Sequence, residues 1–129
     1  MRKPVLAANW KMNHGPSDAR AFMRTFLARY ARRTDRSVIM FPPAVTLPEM
    51  VAATKERPDI LLGIQNIYWE DKGAFTGETS ASIARDAGAR VALVGHSERR
   101  HVFGETGDQT RRKCAAAARA GLPPMLCVG

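Results

Sequence analysis

Short apolar runs alternate with segments of helical period along this chain. Five runs read as strands: Val5–Asn9, Val38–Phe41, Ile60–Gln65, Val91–Val94 and Met125–Val128. They are apolar nearly throughout, as strands buried on both faces of a parallel sheet are. Four helices are predicted between them. The first starts at Ser17 as N-cap and carries Phe22, Met23, Phe26, Leu27 and Tyr30 at helical spacing. The second opens on Thr46-Leu47-Pro48-Glu49, a capping-box pattern, and is stopped by Pro58. The third runs from about Ser80 to Ala87, with Gly88 as its C-terminal cap. The fourth follows a second capping box, Thr106 with Gln109, and ends at Gly121-Leu122-Pro123.

The order is β-α four times and then a fifth strand, which means α/β architecture. Strand starts at residues 5, 38, 60, 91 and 125 recur at about 30 residues, the size of a βαβ crossover. Two architectures use such units. A doubly wound sheet is complete at this length, whereas a (β/α)8 barrel needs eight units and about 250 residues. A dinucleotide-binding sheet should carry a glycine-rich turn after its first strand. Here that strand runs into Asn9-Trp10-Lys11-Met12-Asn13, with no glycine before Gly15. The dinucleotide reading loses its main support. No linker or low-complexity stretch interrupts residues 1–129, which read as one domain.

With 45% hydrophobic and 25% charged residues the composition is that of a globular protein. Twenty Lys and Arg against twelve Asp and Glu give a net charge of +8, a surplus that favours anionic partners. Arg20, Arg24, Arg29, Arg32, Arg33 and Arg36 crowd one segment with only Asp18 and Asp35 against them. Without interleaved exposed aromatics this reads as a solvated helix face, so no nucleic-acid partner is expected. No apolar run approaches the roughly 18 residues of a membrane span, so no membrane partner is expected either. Only Val5 to Ala8 is apolar after Met1-Arg2-Lys3-Pro4, too short for a secretory signal. Two cysteines, Cys114 and Cys127, fit a reducing compartment, and the expected location is the cytoplasm. Neither these nor His14 and His101 are spaced as metal ligands. No metal and no organic cofactor is expected.

In parallel α/β folds, polar groups at the C-terminal strand ends face a common site. Those ends offer Asn9 and Lys11 after the first strand, Gln65 after the third, and His96-Ser97-Glu98 after the fourth. Lys supplies a fixed positive charge, while Asn and a neutral His donate hydrogen bonds to a developing oxyanion. The set suits a small anion that carries a carbonyl.

These residues sit in motifs that resemble triosephosphate isomerase. Ala8-Asn9-Trp10-Lys11-Met12-Asn13 is similar to that family's first-strand motif, and Val94-Gly95-His96-Ser97-Glu98-Arg99-Arg100 to its fourth. Gly73-Ala74-Phe75-Thr76-Gly77-Glu78 resembles its long third loop, and Cys127-Val128-Gly129 its fifth strand. The resemblance implies a (β/α)8 TIM barrel, here a partial barrel of about four βα units plus a fifth strand.

The family resemblance implies an isomerase of glycolysis and gluconeogenesis that interconverts dihydroxyacetone phosphate and glyceraldehyde 3-phosphate through an enediolate. Lys11 would bind the phosphate of this triose and stabilise enediolate charge, and Asn9 would position Lys11 and the substrate oxygen. His96 would polarise the carbonyl and shuttle protons. Glu98 and Ser97 would support these groups, with Glu98 holding the Lys11 ammonium. Thr76, Phe75 and Gln65 would lie at a homodimer interface, Thr76 reaching into the neighbouring subunit. The chain departs from the family in length. The catalytic glutamate after the sixth strand, the lid behind it and the glycine-rich phosphate clamp have no counterpart in residues 1–129. The expectation is a truncated N-terminal half, inactive alone, that works as a homo-oligomer or with a complementary C-terminal half. The alternative is a non-enzymatic, self-associating half-barrel whose two sheet edges, at Val5–Asn9 and Met125–Val128, are open to pairing.

Overall fold

The computed structural model describes residues 2–129. Five parallel strands stand in sequence order: β1 (Val5–Asn9), β2 (Ser37–Phe41), β3 (Ile60–Ile64), β4 (Val91–Val94) and β5 (Pro124–Leu126). Five helices accompany them: α1 (Pro16–Arg29), α2 (Leu47–Ala53), α3 (Ala81–Asp86), α4 (Ser97–His101) and α5 (Gly107–Arg119). Every neighbouring pair of strands is parallel, with registers such as Ala7 opposite Ile39 and Leu93 opposite Met125. Sequential parallel pairing without a switch in strand order is barrel topology, not the doubly wound alternative.

Alternation along the strands splits the core into two layers. Val38 and Met40 of β2, with Ala92 and Val94 of β4, face the helices and pack with Ala19, Met23, Met50 and Ala117. Ile39 and Phe41, with Val91 and Leu93, form the opposite, inner layer, flanked by Leu61, Met125 and Cys127. Gly63 of β3 makes room for that inner layer. A Cβ there would lie 2.2 Å from the Phe41 ring and 2.9 Å from the Val91 carbonyl oxygen. Gly63→Ala is therefore expected to cost about 1–3 kcal/mol through overpacking, read as a lowered urea midpoint with unchanged slope.

The sheet has two open edges. β1 pairs only with β2, and Val5 and Leu6 are each about half exposed. Beside it the rings of Trp10, Phe22, Phe26 and Tyr30 follow one another at 5.1, 5.7 and 5.1 Å. Together with Leu6 and Met40 they wall an apolar groove of about 260 Å³. At the other edge β5 is largely exposed. The expectation that all five strands are buried on both faces thus fails at the edge strands, because no further strand covers them among the described residues.

Local signals held where nothing distant competed. The capping box of Thr106 and Gln109 forms at the start of α5, and Ser80 caps α3 through the Ile83 N–H. Gly88 follows α3 at φ 110°, where a Cβ would also run into Val51 at 2.6 Å. Several boundary expectations are corrected. α1 begins at Pro16 with Gly15 as N-cap, so Ser17 lies inside the helix; proline at the first helical position is pre-organised for that place. Thr46 forms no capping box, because its hydroxyl donates to the His14 carbonyl at 2.8 Å while Glu49 pairs with Arg20. α2 ends at Ala53, ahead of Pro58, with the Thr54 hydroxyl donating to the Met50 carbonyl. The third and fifth strands are also shorter than predicted, Gln65 falling outside β3 and Cys127 and Val128 outside β5. Cys127 nevertheless extends the ladder by one bond from its N–H to the Val94 carbonyl, 2.9 Å.

Candidate active site

At the C-terminal strand ends a cleft of about 190 Å³ opens between the loops after β1, β3 and β4. Asn9, Lys11, Gln65, His96 and Glu98 all line it. Lys11 adopts a left-handed backbone, φ 56°, a region that carries strain for any residue with a Cβ. Its peptide is gripped on both sides. Asn9 Oδ1 accepts from the Lys11 N–H at 2.8 Å, and Gln65 Nε2 donates to the Lys11 carbonyl at 2.7 Å. The same Gln65 nitrogen donates to the Phe41 carbonyl at 2.8 Å, tying the loop after β1 to the end of β2.

The side chain of Lys11 crosses to the loop after β4, where Nζ lies 2.7 Å from Glu98 Oε1. His96 precedes α4 as its N-cap, and its Nδ1 accepts from the Glu98 N–H at 3.2 Å. With Nδ1 turned to the Glu98 N–H, and 3.5 Å from Glu98 Oε2, Nε2 is the ring nitrogen left to meet a ligand. Arg100 steadies the turn from behind, donating to the Gly95 carbonyl at 2.7 Å and the Cys127 carbonyl at 3.1 Å. Gly95, at φ 71°, leaves the space that the Arg100 guanidinium and the Thr110 methyl fill.

The hydrogen bond and charge of the Lys11 ammonium hold the Glu98 carboxyl below the usual glutamate range, more than its partial desolvation raises it. A depressed value means the contact is complete above the unfolded pKa, about 4.3, and is lost as pH falls through the folded one. Carbonyl-carbon NMR is expected to find the Glu98 midpoint below that of a free glutamate. Lys11→Met should return it toward the ordinary value.

Of the residues expected at the site, one stays outside the cleft. Ser97 is exposed and does not line it. Thr76 is exposed on the loop after β3, and Phe75 of the same loop rests against the Tyr68 ring at 4.7 Å. Gln65, expected at an interface between subunits, makes the two intrachain bonds to Lys11 and Phe41 described above. Asn66 and Phe103 also line the cleft and carried no sequence signal. Arg99 lines it as well; it stands within the fourth-strand motif, where no role was expected of it. Among the described residues no group of three His, Cys, Asp or Glu is placed to hold a metal ion, and no helix is long and apolar enough to cross a membrane.

A parallel half-barrel with an ammonium, an amide and an imidazole gathered on its C-terminal rim defines a protein of the α/β-barrel class with a polar cleft at its strand ends. The family profile for triosephosphate isomerase matches residues 4–129. The chain belongs to the triosephosphate isomerase family. It is 46% identical to the triosephosphate isomerase of Rubrobacter xylanophilus over 129 residues, covering 99% of this chain and 50% of that protein. Identity to a Synechococcus triosephosphate isomerase is 42% over 134 residues, covering all of this chain and 52% of the relative. A crystal structure of triosephosphate isomerase from Bartonella henselae superposes with a TM-score of 0.90 at 37% identity, over 99% of this chain and 52% of that one. The chain thus spans about half the length of the relatives it matches.

Proposed function

We propose that this chain supplies the electrophile and the lysine of a triosephosphate isomerase acting on dihydroxyacetone phosphate and glyceraldehyde 3-phosphate in the cytoplasm. The observation that carries the reading is the convergence of Asn9, Lys11 and His96 on one small cleft, with the His96 Nδ1 turned to the Glu98 N–H. With Nδ1 occupied by the Glu98 N–H, the imidazole presents its Nε2–H to a substrate carbonyl. Hydrogen-bond donation there stabilises the oxyanion as the carbon proton leaves, and the same nitrogen can return a proton to the neighbouring oxygen. Lys11 holds the phosphate and adds charge stabilisation, with Asn9 fixing its backbone and Glu98 its ammonium.

The base that takes the carbon proton is not supplied from this cleft. Glu98 is its one lining carboxylate among the described residues, and it is held ionised and engaged by Lys11. The base, lid and phosphate clamp belong to the half of the family's barrel that the chain does not span. Two assays of aldose–ketose interconversion test the reading, one on the purified chain and one after adding a polypeptide carrying the family's C-terminal half. Turnover is expected only in the second; no turnover in either, with no phosphate-analogue binding, overturns it.

The open β1 edge and its aromatic groove favour a second reading, a self-associating half-barrel. Both readings require the edges to be covered, and the third loop with Phe75 and Thr76 offers a further subunit contact. Light scattering on the eluting chain at micromolar concentration is expected to give at least a dimer. A 14.2 kDa monomer that unfolds cooperatively would mean that the edges close within one chain.

A further inference from the structure

We propose that Lys113 is a positioning residue that staples two walls of the cleft together from the interior. The proposal rests on the isomerase reading only where its test measures turnover. Lys113 lies on α5 and does not line the cleft. Its side chain is 6% exposed and that of Glu105, its ion-pair partner, 2%. The ammonium also donates to Asn66 Oδ1 at 2.8 Å.

Each partner belongs to a different wall. Asn66 lines the cleft and directly follows Gln65, whose amide holds the carbonyl of the strained Lys11. Glu105 follows α4, the helix capped by His96, and its N–H donates to the Arg99 carbonyl at 2.9 Å. One buried charge therefore fixes the distance between the loop that shapes Lys11 and the loop that presents His96. Stability alone does not call for it. A buried ion pair is often matched or bettered by apolar residues of the same volume. What apolar packing cannot reproduce is a directional tether to an amide oxygen and a carboxylate at once.

Lys113→Met alone strands the Glu105 carboxylate in the interior, so the deciding variant is Lys113→Met combined with Glu105→Gln. Ala117→Gly, in the same helix and buried against the core, serves as a control for general loosening of α5. The readouts are the nitrogen and proton shifts of the Gln65 side-chain amide, the Lys11 backbone amide and the His96 ring. All three are expected to move in the double variant and to stay in place in Ala117→Gly. In the protein that turns over, kcat should fall tenfold to a hundredfold, the size of effect on the order of 10² that an ångström-scale misplacement brings, with KM changing less. Unmoved signals in a folded double variant overturn the proposal. Should the double variant not fold, Asn66→Leu, which leaves the ion pair intact, decides by the Lys11 shift and by kcat. A wild type without turnover even when the family's C-terminal half is supplied, and without phosphate-analogue binding, would refute the isomerase reading, and the shifts would still decide this one.

Discussion

Under the proposed function, isomerase turnover measured with a polypeptide carrying the family's C-terminal half is expected to fall on the order of 10²–10⁴-fold when His96 is replaced by Gln, the usual size of a lost general acid–base group. Gln keeps a hydrogen-bond donor at the end of a side chain of similar reach, so part of the polarisation of the carbonyl survives. It cannot carry a proton from one oxygen to the other. The loss should appear in kcat, with KM little changed, because the imidazole acts on charge that develops only as the carbon proton leaves. Lys11→Met should behave differently. The ammonium meets the phosphate in the ground state as well as the transition state, so KM rises along with the fall in kcat. A His96→Gln enzyme with wild-type kcat would remove His96 from the chemistry.

The contrast between the two residues also shows which parts of the site are written locally. Lys11, Asn9 and His96 are legible because they stand at the ends of apolar strands, and parallel topology sends all such ends to one rim. Their grip on one another is less so. The Lys11–Glu98 bond joins residues from different units and was expected only through the family resemblance. Gln65 turned out to serve the Lys11 peptide within the chain, at 54 residues' separation, and no spacing rule reaches that far.

Helix boundaries divide along the same line. Thr106 and Gln109 make the box their spacing predicts, since no other partner is in reach. Thr46 and Glu49 carry the same pattern and are claimed by His14 and Arg20, so the local grammar is overridden by tertiary bonds. The central strands β2 and β4 were readable because both faces are covered. β1 has an equally apolar sequence but is exposed. Apolar sequence states that a strand is meant to be covered, not what covers it. Lys113 was the least legible residue of all. In the run Arg111-Arg112-Lys113 it looks like one more solvated charge, while the fold buries it and leaves its two neighbours outside.

That burial leads to the largest stability effect expected in the chain. Lys113→Met should destabilise by about 3–5 kcal/mol, the range found when one member of a buried ion pair is removed and the other keeps its charge. Met matches the lysine stem in length and flexibility, so little packing is lost. The cost comes from Glu105, whose buried carboxylate then loses its ion-pair partner. Chemical denaturation should show a much lower midpoint for the single variant, and recovery of most of the loss when Glu105→Gln is added. A double variant that recovers none of the loss would mean that the loss comes from packing and that the buried charge of Glu105 is not what Lys113 balances.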